Sequence, residues 1–198
     1  NAIFLQYSGI VWVLIGSPLI LRETPRARDL AASAIAMAGM ALFFVGRFEG
    51  GSTAGNLIGV LAGIFFAMLV VSLRHQRGAG AEAAVCWGNV VTAVALFPLV
   101  RGELDVSGES LVILSFLGVF QIALAYWFFV KGIERVTASA AFLTGMVEPV
   151  ANPLWVFLVL GERPSPFAII GGIIVLAAIS WRTLAVGPPS RRPVAPPD

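Results

Sequence analysis

The sequence predicts an all-α integral membrane protein with seven transmembrane helices, arranged as part of an inverted repeat. Three observations predict it. The 198 residues are 58% hydrophobic and only 12% charged, about half the charge of a soluble domain, and their mean hydropathy is +0.90. Seven apolar segments alternate with short polar breaks, each near the length a spanning helix needs. A displacement of 139 residues brings one part of the chain onto another.

The segments are 2–21, 30–46, 55–73, 83–100, 111–130, 137–160 and 167–184. The tail, 185–198, holds five prolines and the adjacent Arg191 and Arg192, and reads as an extended, disordered strip. Seven spans put alternate breaks on opposite sides. One side collects Arg22, Arg26, Arg28, Arg74, Arg77, Lys131, Arg135, Arg182, Arg191 and Arg192; the other collects Arg47, Arg101 and Arg163. The richer side is cytoplasmic, so the N-terminus lies outside and the C-terminus inside.

The 139-residue shift pairs Leu-Arg-Glu-Thr-Pro at 21–25 with Leu-Gly-Glu-Arg-Pro at 160–164, and places Val11 on Val150, Ala2 on Ala141 and Ile35 on Ile174. Five spans separate the matched corners, an odd number, so the two copies face opposite ways. That is the inverted-repeat logic of secondary carriers. The second copy has five spans and the first shows two, so equal halves imply roughly three further spans upstream.

Net charge of +2 and the lack of a basic stripe with interleaved aromatics argue against nucleic acid. One cysteine, Cys86, and one histidine, His75, argue against an internal disulfide and against a metal centre built from those residues. No cofactor is expected. A membrane-embedded hydrolase needs a nucleophile–base set or a metal cluster, and the sequence suggests neither. A seven-helix receptor, or a scaffold that transports nothing, is the competing reading of seven spans; the repeat weighs against it.

The sixth segment carries the chemistry. Glu148 lies roughly 17 Å along a helix from the basic break at 131–135, near the middle of a hydrocarbon core of about 30 Å. Lipid does not solvate a carboxylate, so Glu148 must face protein or a watery hollow. Pro149 and Pro153 deprive the carbonyls of Gly145 and Pro149 of their helical donors. Freed carbonyls at that depth need partners from protein or water. Thr144, Glu148, Asn152 and Trp155 follow helical spacing and are expected on one face.

Glu148 is either a proton-coupling or substrate-binding acid, or a protonated acid hydrogen-bonded between helices. Asn152 and Trp155 line a passage or pack. Gln6 and Tyr7 answer Gly145 and Met146 in the repeat; they supply an opposing wall or an interfacial anchor. Asn89, Thr92 and Gln121 sit mid-span and face a cavity or bind neighbouring helices. Tyr126 reads as an interfacial aromatic. Glu23 and Glu162 read as structural, accepting backbone bonds at the start of the following helix. Gly55, Gly59, Gly63 and Ala67 form a ridge for close helix packing, and His75 a surface charge.

The motifs Met146-Val-Glu-Pro-Val150, Val159-Leu-Gly-Glu-Arg-Pro164 and Leu21-Arg-Glu-Thr-Pro25, with the run 118–126 and Ala138-Ser-Ala-Ala, resemble the EamA-type permeases of the drug/metabolite transporter superfamily. The resemblance covers nearly all of residues 1–184. It implies a ten-helix fold of two inverted five-helix halves around a central cavity, lacking here its first three spans. On that division, 1–50 holds the last two helices of the first repeat, 51–184 the complete second repeat, and 185–198 the cytoplasmic tail. It further implies a plasma-membrane carrier of small metabolites, amino acids or toxic compounds, with alternating access and protons as a candidate coupling ion. The candidate substrate-binding residues are Glu148, Asn152, Trp155, Thr144, Gln6, Asn89 and Gln121.

Overall fold

The computed structural model describes residues 2–45, 52–76, 80–103 and 106–184. Arg47, Arg77 and the tail 185–198 lie outside the described residues. Among the described residues the regular structure is entirely helical. Among the described residues, six stretches are long and apolar enough to cross a membrane: Ile3–Leu21, Thr53–His75, Ala81–Val100, Gly108–Ile133, Ala138–Leu160 and Pro166–Leu184. The expected segment 30–46 appears three residues earlier, as a helix of 17 residues, Ala27–Phe43, shorter than any of the six.

Three of the six stretches are interrupted. The first comprises α1 (Ala2–Tyr7), α2 (Gly9–Gly16) and a π-helical turn, Ser17–Leu21. It is followed by α3 (Ala27–Phe43), α4 (Thr53–His75) and α5 (Ala81–Val100). The next stretch is α6 (Gly108–Phe116), a π-helical run Leu117–Leu124, and α7 (Ala125–Ile133). Then come α8 (Ala138–Gly145), α9 (Val147–Leu160) and α10 (Pro166–Leu184).

The break between α8 and α9 has the cause anticipated from sequence. Pro149 has no N–H to give the Gly145 carbonyl, and Met146 turns out of the helix, its amide donating to Leu143 O at 3.1 Å. The break between α1 and α2 was not anticipated, because no proline marks it. There the Ser8 hydroxyl donates to Leu5 O at 2.6 Å and the Ser8 amide to the same carbonyl at 3.1 Å.

Packing centres on Phe142, fully buried among α1, α2, α4 and α8. Its ring meets Tyr7 edge-on at 6.3 Å and Phe66 at 5.2 Å. The small-residue ridge lets α4 approach α1 and α2: Gly59, Gly63 and Ala67 are buried, and a Cβ on Gly63 would lie 2.7 Å from the Gln6 carbonyl. Gly55 is not part of that contact. It is exposed in the first turn of α4, where its amide donates to the Ser52 hydroxyl. A second seam joins α3 to α10 through Gly39 and Gly171, whose backbones touch.

Arg74, expected in a polar break, belongs to the last turn of α4 and is buried. The α5 and α6–α7 hairpin stands apart, with nothing buried in either apolar window.

Candidate functional site

Tyr7, Gly145 and Glu148 form the centre of the site. Tyr7 is buried at the end of α1, and its hydroxyl donates to Gly145 O at 3.5 Å. The carbonyl orphaned by Pro149 therefore finds a partner, by a long bond, in a side chain 138 residues away. The Tyr7 side chain also interacts with that of Glu148. Tyr7 is thus no interfacial anchor; it joins the two broken stretches at their breaks. Gln6 beside it is half-buried, its backbone against Gly63.

Glu148 is in the first turn of α9 and exposed. Asn152 and Trp155, one and two turns on, are exposed as well, as residues on one helical face should be. Thr144, exposed too, is not on that helix. It belongs to α8, across the break at Met146, and its hydroxyl donates to Ala140 O at 2.9 Å.

Asn152 lines a cavity of about 310 Å³ with Pro149, Pro153, Phe43, Glu162 and Arg163. Asn89 lies elsewhere, with Tyr126 and Glu82 in a cavity of about 550 Å³ between α5 and the α6–α7 stretch. Glu148 lines neither. Among the described residues, neither Asn89 nor Thr92 is hydrogen-bonded to a neighbouring helix. Asn89 Nδ2 donates to Val85 O at 2.9 Å and Thr92 Oγ1 to Gly88 O at 2.8 Å, both within α5. Tyr126 is half-buried beside Asn89. Gln121 is exposed in the π-helical run of the next stretch. The seven candidates therefore divide: Glu148, Asn152 and Trp155 share a face, Gln6 and Thr144 flank the Tyr7 junction, and Asn89 and Gln121 stand on the outlying hairpin.

Two ion pairs lie at the opposite end of α8. Arg74 Nε donates to Glu23 Oε1 at 2.8 Å, and its Nη1 to the carbonyls of Ile133 and Glu134 at 2.9 and 2.8 Å. Glu23 Oε2 accepts from the Ala138 amide at 3.2 Å. So Glu23 does accept a backbone bond at a helix start, but of α8 rather than of the helix that follows it. Arg182 Nε donates to Asp29 Oδ1 at 2.8 Å, and its Nη2 to Thr137 Oγ1 at 3.0 Å. Sequence reading missed Asp29, Arg74 and Arg182 as partners. Helical periodicity carries no signal for pairs 51 and 153 residues apart.

Residues 53–183 match the family model described as the EamA-like transporter family. An uncharacterized transporter of Bacillus subtilis (strain 168), YwfM, is 29% identical over 180 residues, covering 80% of this chain and 57% of its own length. An uncharacterized transporter of Archaeoglobus fulgidus is 26% identical over 186 residues, covering 91% of this chain and 66% of its own length. The chain thus spans less than two thirds of either relative. No solved structure matches significantly.

Proposed function

The chain belongs to the EamA-like transporter family, and from that premise we propose that it forms part of an alternating-access carrier whose coupling acid is Glu148. The carrier resides in the plasma membrane, with the end bearing residues 131–137 in the cytoplasm, and moves small metabolites, amino acids or toxic compounds. Protons are its coupling ion.

The observation that carries this reading is the junction of Tyr7, Gly145 and Glu148. A broken helix with a freed carbonyl, an exposed carboxyl and a crossing tyrosine is the kind of discontinuity at which membrane carriers bind substrate and ion. Repeat symmetry supports it too. The turns at Ser8 and Met146 lie 138 residues apart, within one of the 139-residue shift. The Gly39–Gly171 contact, carried through that shift, becomes Ala178–Ala32, and both alanines are fully or almost fully buried. A two-fold relation between the halves requires such reciprocity.

The test uses the full-length carrier in vesicles with an imposed pH gradient and a panel of metabolites and toxic compounds. Glu148→Gln removes the titrating group and keeps its shape. Gradient-driven movement should be lost while exchange without a gradient persists. Unchanged gradient-driven movement in the Glu148→Gln carrier rules out the coupling role.

A further inference from the structure

We propose that the ion pairs Glu23–Arg74 and Asp29–Arg182 are a latch that closes the carrier at its cytoplasmic end and releases when that end opens. The proposal rests on the alternating-access reading and on the division of the chain at residue 50. Both carboxylates belong to the first segment and both guanidiniums to the second, so each pair crosses between the halves.

The two pairs converge on one place. Arg74 holds the last carbonyls before the α7–α8 link, Glu23 caps the Ala138 amide after it, and Arg182 reaches Thr137 within it. The link is therefore fastened from both sides by charges that meet only while the halves are together. The side chains are largely withdrawn from solvent, at 10% and 21% exposure for Arg74 and Glu23 and 12% and 6% for Arg182 and Asp29. By contrast, the Lys131–Glu82 pair lies wholly within the second segment and is 44% and 42% exposed.

The opposite end has different chemistry. The 139-residue shift carries Asp29 onto Ala168 and Arg182 onto Phe43. Ala168 and Phe43 line a hollow together, and the 310 Å³ cavity opens beside them, with Phe43 in its wall as well. One end is closed by ions; at the other the equivalent positions are apolar, beside a hollow whose lining mixes Pro149, Pro153 and Val156 with Asn152, Glu162 and Arg163. This difference suits a switch. Parting an apolar seal exposes its area to water at full cost. Parting a buried ion pair restores hydration to both ions and offsets much of the lost attraction. The ionic end is thus the one that opens at modest cost, and the state described here is closed there.

The test is residue accessibility in the full-length carrier, which needs no known substrate. In a Cys86→Ala background, Ser139→Cys puts a thiol at a buried position in the first turn of α8, 3.2 Å from Thr137 Oγ1 in the parent structure. An impermeant maleimide is added to the cytoplasmic face of inverted vesicles. Glu23→Gln with Asp29→Asn removes both charges and keeps an oxygen at each position, to accept from the Ala138 amide as Glu23 does and from the Arg26 amide, which donates to Asp29 Oδ2 at 2.9 Å. Labelling should rise on the order of tenfold, within the range of ordinary conformational couplings. Val156→Cys, in the cavity at the other end, should label more slowly from the outer face.

A rise at Ser139→Cys with no change at Val156→Cys upholds the latch and counts against alternating access. Unchanged labelling at Ser139→Cys in protein that keeps its parental melting temperature overturns the latch. If the double variant does not fold, Glu23→Gln alone is the milder change: a smaller rise upholds the latch, and no rise overturns it.

Discussion

Replacing Gly171 with alanine tests how closely α3 and α10 pack. A Cβ at that position would lie 2.5 Å from Gly39 O, 2.5 Å from Phe43 N and 2.7 Å from Phe43 Cα. All three are backbone atoms of α3 or its edge, so no side chain can rotate away. Ordinary contact begins near 3.4 Å, and α10 must retreat by about 1 Å. Such a gap forfeits a quarter to a half of each dispersion contact it opens, and overpacking of this kind costs about 1–3 kcal/mol. Relief of glycine's conformational entropy within a helix returns about 0.5–1 kcal/mol. The net expectation is a loss of about 1–2 kcal/mol. Gly88→Ala, in α5 with nothing within 4 Å of its added Cβ, gains the entropic relief alone. Both variants are unfolded by SDS titration in mixed micelles, followed by circular dichroism. If Gly171→Ala is as stable as Gly88→Ala, the backbones of α3 and α10 do not meet as closely as described.

Two further outcomes follow from side-chain burial. Tyr7→Phe removes the hydroxyl, with its long bond to Gly145 O and its interaction with Glu148, and should cost about 1 kcal/mol, within the range of interhelical hydrogen bonds in membranes; Tyr7→Ala also empties space beside Phe142 and should cost about 3 kcal/mol or more. The same titration separates them. Arg74→Ala strands Glu23 and should destabilise by about 3–5 kcal/mol, the range for breaking a buried pair, whereas Lys131→Ala, from the exposed pair with Glu82, should leave the unfolding midpoint unchanged.

The helix break at Gly145–Met146 was legible because proline chemistry is local: Pro149 names the carbonyl it abandons. The close approach of α4 was legible for a similar reason, since small residues every fourth position mark a face. The break at Ser8 was not, because a serine mid-helix is ordinarily tolerated, and only its tertiary setting makes it turn. The π-helical runs at Ser17–Leu21 and Leu117–Leu124 escaped too, as an extra residue per turn leaves the apolar composition unaltered.

At the site, Glu148 and its face with Asn152 and Trp155 followed from spacing along one helix. Tyr7 was placed opposite Gly145 and Met146 by the repeat, though its contact was not foreseen. Thr144 was grouped with Glu148 by helical spacing, which the break at Met146 interrupts; Asn89 and Gln121 were grouped with it by depth, and depth does not fix which hairpin a residue occupies. Glu23 was seen as an acceptor, but its partner at Ala138, 115 residues away, required the tertiary fold.

The carrier reading stands on Glu148 facing a solvated hollow within the membrane. Thiol labelling of Glu148→Cys probes that directly, on a Cys86→Ala background in the full-length carrier, with a charged, impermeant reagent set against a lipid-soluble one. Reaction with the charged reagent is expected, slowed by protecting substrate once one is found. Reaction with the lipid-soluble reagent alone would refute the reading, since the residue would then face hydrocarbon rather than water.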